Sequence, residues 1–118
     1  VFNFSIGVIP KSIENTITMS GIEKESIDYF FLHQANDYII SNITRRIKVA
    51  PDKVPKGIVA EYGNQSSASI PITICKTLVS RSLTESNTIL LSGFGVGLSW
   101  ANCITKIGSI KTGLSTID

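Results

Sequence analysis

A chain of 118 residues fits one domain and is long enough to bury a hydrophobic core. Eleven basic residues against nine acidic ones leave a formal charge of +2, too mild to argue for duplex nucleic acid as a partner. The apolar fraction of 42% comes without any run approaching the roughly 18 apolar residues of a membrane span, so the surplus is expected in a buried sheet and in interfaces.

Val1 to Pro10 lacks the basic leader and small-residue cleavage site of a signal peptide. The opening Val1-Phe2-Asn3-Phe4, apolar and without an initiator Met, reads as cut from something longer. Phe2, Ile6, Ile9, Ile13 and Ile17 then recur at helical spacing, and Gly21 stands where a helix C-terminal glycine belongs. Pro10 lies inside that stripe and removes the amide that would bond the Ile6 carbonyl, so a kink or a restart near Pro10 is expected.

Gly21 to Ser26 is a polar connection, and Ile27 to Leu32 is nearly all apolar, as in a strand covered on both faces. The chain's one imidazole, His33, follows it directly. From Asn36, an expected N-cap, Ile39, Ile40, Ile43 and Ile47 form a second helical stripe that stops before Pro51.

Pro55 to Tyr62 suggests a short strand centred on Ile58 and Val59, followed by the polar turn Gly63-Asn64-Gln65-Ser66-Ser67. Ser69-Ile70-Pro71 opens a helix through Ile74, Leu78 and Val79, with the proline in the first turn where its missing amide does no harm. Thr84 to Asn87 reads as a turn, Thr88 to Leu91 as a buried strand, Gly93 to Gly97 as a glycine-rich loop and Leu98 to Ile107 as the last strand. Residues 1–107 then form the domain and 108–118 a polar tail.

Strands alternating with helices imply an α/β layered domain with helices on both faces of its sheet. The closing hairpin adds an antiparallel strand, so the sheet should be mixed.

Two cysteines, Cys75 and Cys103, show no metal-ligand spacing and have one histidine to join them, which argues against zinc. Both lie in apolar periodic segments and are expected as reduced, buried thiols of a cytoplasmic protein. Neither stands in a loop or at a helix N-terminus that would activate it as a nucleophile.

His33, Asn64 and the Gly93 to Gly97 loop each follow an expected strand, and such loops converge at one edge of an α/β sheet. A neutral imidazole N–H and a carboxamide NH2 aimed at one oxygen stabilise an enolate or an oxyanion, and glycine-loop amides serve a second oxyanion. Each feature also has an ordinary structural explanation. A lone strand-end His is often satisfied by backbone, and serines such as Ser66, Ser67 and Ser69 beside an Asn turn are often helix caps.

His33-Gln34-Ala35-Asn36, then Gly63-Asn64-Gln65-Ser66-Ser67-Ala68-Ser69-Ile70-Pro71, then Gly93-Phe94-Gly95-Val96-Gly97-Leu98-Ser99-Trp100 resemble the C-terminal signatures of β-ketoacyl-acyl-carrier-protein synthase III. Order and spacing agree, with 31 residues from His33 to Asn64 and 31 from Asn64 to Gly95.

The resemblance implies a thiolase fold, in which two similar halves pack as αβαβα layers, with this chain as most of the second half. The acyl-carrying cysteine then belongs to the first half, outside this chain. The implied reaction is a decarboxylative Claisen condensation of an acyl thioester with malonyl-carrier protein in fatty acid or related lipid synthesis. His33 and Asn64 would stabilise the malonyl-derived carbanion, and the Val96 amide would donate to the oxyanion of the acyl thioester. Phe94 would lie near the departing carboxylate, and Gly95 and Gly97 would line the substrate. No cofactor is implied beyond thioesters carried on CoA or phosphopantetheine, and a homodimer is expected.

Departures from the family pattern are specific. Val96 replaces the middle of three glycines, Tyr38 stands where an arginine often meets the carrier protein, and Ala101 stands where glycine is common. Gln34, Ala35 and Asn36 are expected to shape the corner and Trp100 to pack. Arg45 and Arg46 match a basic pair of the carrier-docking surface, and Lys48, Lys53 and Lys56 extend it. Cations at a helix end also favour the helix dipole without any partner. Two alternatives remain: a non-catalytic carrier-docking or dimerisation module, and an acyltransferase or thioesterase of the same fold.

Overall fold

A computed structural model describes residues 2–79 and 86–108. Helix α1 (Phe2–Ser20) leads to strand β1 (Tyr29–Leu32), helix α2 (Asp37–Ile47), the short helix α3 (Ile58–Tyr62), helix α4 (Ser69–Leu78) and strands β2 (Asn87–Gly95) and β3 (Ser99–Ile107). The sheet has order β1-β2-β3, with β1 parallel and β3 antiparallel to β2. It is the mixed sheet that the sequence implies.

Alternation along the strands divides the core into two faces. Phe30, Leu32, Leu90 and Phe94 point towards α1 and α2, where they meet Ile9, Ile13, Ile40, Ile43 and Ile47. Phe31 and Ile89 point the other way, where Leu78, Ile70 and Ile74 of α4 cover them. A strand buried on both sides needs apolar residues at successive positions, which explains Phe30-Phe31-Leu32.

The helix ends follow local chemistry. Asn36 Oδ1 accepts the Ile39 amide at 2.8 Å, capping α2 as its sequence position promised. Gly21 takes the left-handed φ of 73° past the end of α1. At the end of α2 it is Lys48 that adopts this conformation, with φ 57°.

Several expectations are corrected. Pro10 does not restart α1, which runs as one helix from Phe2 to Ser20 with the proline inside it. The buried stripe of Ile6, Ile9, Ile13 and Ile17 continues across the proline, so shared burial outweighs one lost backbone bond. The first strand begins at Tyr29 rather than Ile27, although Ile27 remains fully buried.

Ile58 and Val59 lie in a helix, not a strand. Gly57 turns the chain with φ 90°, its amide is held by Asp37 Oδ1 at 2.9 Å, and the helical turn sends Ile58 into the core. Gly93 to Gly95 belong to β2, and the turn is confined to Val96–Leu98. Of the expected 84–87 turn, residues 84 and 85 lie outside the described residues and Asn87 is already in β2, and the tail lies outside them from residue 109.

Cys75 is half-buried and Cys103 exposed, not buried as expected, and neither is in a disulfide. Position 103 lies on β3, most of whose residues are open. Trp100 packs on Phe4 at 5.3 Å between ring centroids while staying 46% exposed. No helix among the described residues is long and apolar enough to cross a membrane.

Candidate active site

Strand β1 stops at Leu32, and the His33 amide continues its ladder by donating to the Ser92 carbonyl at 2.9 Å. The imidazole thus follows the buried end of β1, Phe30 to Leu32, beside the central strand of the sheet. Its ring stands edge-on to Phe94, 5.5 Å between centroids and 86° between planes. Nδ1 lies 2.8 Å from the hydroxyl of Ser69, the first residue of α4.

The surroundings favour the neutral imidazole. Burial lowers its pKa below the usual histidine value, opposed in part by a hydrogen bond with the Ser66 backbone. Because the folded pKa lies below the unfolded one, the neutral ring's contribution to stability is intact above about pH 6.5 and is lost as pH falls through that value towards the folded pKa. Denaturation midpoints are expected to drop between about pH 7.5 and about pH 5 by more in the native protein than in His33→Gln. Equal drops in the two proteins would contradict this.

Gln34 is buried, with Nε2 donating to the carbonyls of Leu32 at 2.9 Å and Pro55 at 3.3 Å. Its side chain ties the corner after β1 to the segment before α3, in agreement with a shaping role.

Asn64 follows α3, so it does not succeed a strand as expected. Its side chain is exposed, and Oδ1 accepts the Ser66 amide at 3.0 Å, while neither Nδ2 hydrogen has a partner among the described residues. His33 and Asn64 share no hydrogen bond among the described residues. The 66–69 segment nonetheless reaches the imidazole through Ser66 and Ser69.

Phe94 is buried in β2 opposite Trp100, Gly95 ends the strand and Val96 begins the turn. Left-handed conformations in that turn are taken by Gly97, φ 78°, and Leu98, φ 39°.

Ser66, Ser67 and Ser69 had a capping explanation, and none of them caps a helix with its side chain. Ser69 instead faces inward, 1% exposed, and contacts His33. Its spacing of four from Thr73, also buried, was the available signal, because the two share a helical face.

The basic residues separate. Arg45, Lys48 and Lys56 border a hollow of about 380 Å³ with Ser41, Thr44 and Val49. Arg46 faces another of about 430 Å³ beside Lys11 and Glu14. Lys53 leaves the expected patch, since its ammonium donates to the carbonyls of Glu25 at 3.1 Å and Ile27 at 2.9 Å. Neither hollow is lined by His33 or Asn64.

Residues 17–107 match the model of the 3-oxoacyl-[acyl-carrier-protein] synthase III C-terminal family. The chain belongs to this family. It is 47% identical over 109 residues to the β-ketoacyl-[acyl-carrier-protein] synthase III of Streptococcus agalactiae serotype III strain NEM316, across 91% of this chain and 33% of that protein. The chain thus spans about a third of the length of the curated relatives it matches.

Solved structures agree on the thiolase-like synthase III fold. The 3-oxoacyl-(acyl-carrier protein) synthase of Burkholderia xenovorans LB400 superposes with a TM-score of 0.89 at 35% identity, covering 95% of this chain and 32% of that one. The β-ketoacyl-[acyl carrier protein] synthase III of Thermus thermophilus gives 0.84 at 33% identity, covering 93% and 34%. Within the synthase III fold, the present chain is a C-terminal part that carries His33, Asn64 and the Val96 turn.

Proposed function

We propose that this chain supplies the decarboxylation half of a condensing enzyme that joins an acyl thioester to malonyl-carrier protein. The observation that carries the reading is His33, placed at the end of β1 between Ser69 and Phe94 in a chain of the synthase III family, where burial favours the neutral ring. A neutral imidazole offers an N–H to an enolate oxygen without first delivering a full positive charge.

In the proposed reaction the malonyl thioester carbonyl lies between an imidazole N–H of His33 and the Asn64 Nδ2 hydrogens. As the carboxylate leaves as CO2, the electron pair moves onto the α-carbon and is delocalised onto the thioester oxygen, where these donors meet it. That carbon then attacks the acyl carbonyl of a thioester on a cysteine outside this chain, the Val96 amide donates to the tetrahedral oxyanion, and collapse breaks the acyl C–S bond, releasing the cysteine thiolate and the 3-oxoacyl product. Phe94 gives the departing carboxylate an apolar neighbour, which favours its conversion to neutral CO2. Gly95 and Gly97 keep the approach to that amide open.

Arg45 and Arg46 are proposed as docking residues for an acidic carrier protein, reached from two neighbouring hollows rather than from one patch. Arg45→Glu with Arg46→Glu in the whole protein should weaken carrier-protein affinity at least about tenfold and flatten its salt dependence. Unchanged binding in titration calorimetry would remove the docking assignment while leaving the chemistry in place. The proposal further includes a cytoplasmic homodimer using CoA- or phosphopantetheine-bound substrates.

A further inference from the structure

Ser69 is 1% exposed and sits in the first turn of α4, where its carbonyl also accepts from Thr73 Oγ1 at 2.7 Å. A buried hydroxyl carries one hydrogen to donate and lone pairs to accept with. One lone pair takes the Gln34 amide at 3.4 Å. The remaining close partner is His33 Nδ1 at 2.8 Å, which either accepts the hydroxyl hydrogen or donates its own.

Satisfaction of the buried groups decides between these. If Nδ1 carried a hydrogen and gave it to Ser69, the hydroxyl hydrogen would be buried with no acceptor among the described residues, the costly arrangement. If Ser69 donates to a bare Nδ1, the hydroxyl and Nδ1 are both satisfied, which leaves Nε2 for the ring's other contacts, the Ser66 backbone among them. The ring hydrogen then resides on Nε2.

We propose that Ser69 is a positioning residue that donates its hydroxyl hydrogen to His33 Nδ1 and so holds the imidazole in the Nε2–H tautomer. The inference rests on His33 acting as an oxyanion donor, because that role requires one defined nitrogen to present a hydrogen. A second consequence follows from the fold. Ser69 is anchored by α4, and α4 is anchored on Phe31 and Ile89 through Leu78, Ile70 and Ile74. The tautomer is therefore set by the sheet face opposite α1 and α2.

The test uses the whole protein labelled with 15N in histidine, with His33 signals assigned by their loss in His33→Ala. In the native protein Nδ1 should show the shift of an unprotonated ring nitrogen and Nε2 that of a protonated one. In Ser69→Ala the two shifts should move towards each other as the tautomers mix, and Ser69→Thr, which keeps a hydroxyl, should move them back. Malonyl decarboxylation should fall about tenfold in kcat for Ser69→Ala with little change in KM.

A protonated Nδ1 in the native protein, or His33 shifts that do not respond to Ser69→Ala, would overturn the assignment. The outcome is separable from that of the proposed function. Decarboxylation that survives His33→Ala would end the reading of His33 as the oxyanion donor, whereas the nitrogen shifts report on Ser69 whatever the activity.

Discussion

His33→Ala in the whole protein is expected to reduce malonyl decarboxylation by about 10²- to 10³-fold, the loss associated with one preorganised oxyanion donor. Asn64→Ala is expected to act in the same range, and the two together by less than the product, because both donors serve one oxygen. Acyl transfer onto the cysteine should continue in all three, since neither residue contributes to that step.

The measurement is paired: CO2 release from labelled malonyl thioester, and the mass of the acylated protein. Loss of both readouts at once would point to a disrupted fold, and condensation retained in both single variants would end the decarboxylation reading. The geometry adds one expectation to the pair. Asn64 is exposed and spends Oδ1 on the Ser66 amide, so Asn64→Asp should be as damaging as alanine. It keeps the turn's acceptor and removes the outward donors.

The second large effect is on stability. Phe31 is fully buried on the sheet face that α4 covers, against Leu78 and Ile89, with Tyr29 stacked on it at 5.6 Å. Phe31→Ala should cost about 3–5 kcal/mol, from lost transfer energy and the cavity left behind. Denaturant unfolding of the variant beside the native protein reads this directly.

The effect also has a functional direction. A loosened α4 releases Ser69 from His33, so Phe31→Ala should depress decarboxylation even where the protein is still folded. Phe30→Ala should cost a similar amount, because Phe30 is equally buried. It faces α1 and α2 instead, so at matched folded fraction it should spare activity more. Equal activity losses in the two variants would remove the link between α4 and the imidazole.

Local order was legible wherever one segment contains its own explanation. The isoleucine stripes of α1 and α2 specify helix and buried face together, Asn36 caps α2 from one side chain, and Phe30-Phe31-Leu32 announces a strand covered on both sides. The histidine, asparagine and glycine-loop signatures with their regular spacing pointed to the family, since a spacing of signatures is a property of the chain alone.

What the chain order left open depended on distant partners. Whether Ile58 joins a sheet or turns into a helix is settled by Asp37 holding the Gly57 amide, a contact between residues 20 apart in sequence. Whether Pro10 breaks α1 depends on the core beneath it, and whether Lys53 stays in a basic patch depends on the carbonyls of Glu25 and Ile27. Ser69 is the sharpest case, because a serine before a helix is locally a cap and becomes the partner of His33 only when α4 is laid against β1, 36 positions away. The sequence by itself determined which side chains were available and the periodicity that buries them. Only the tertiary structure decided which hydroxyl meets which nitrogen, because a hydrogen bond is fixed by ångström-scale distance and direction, and those arise from packing between segments.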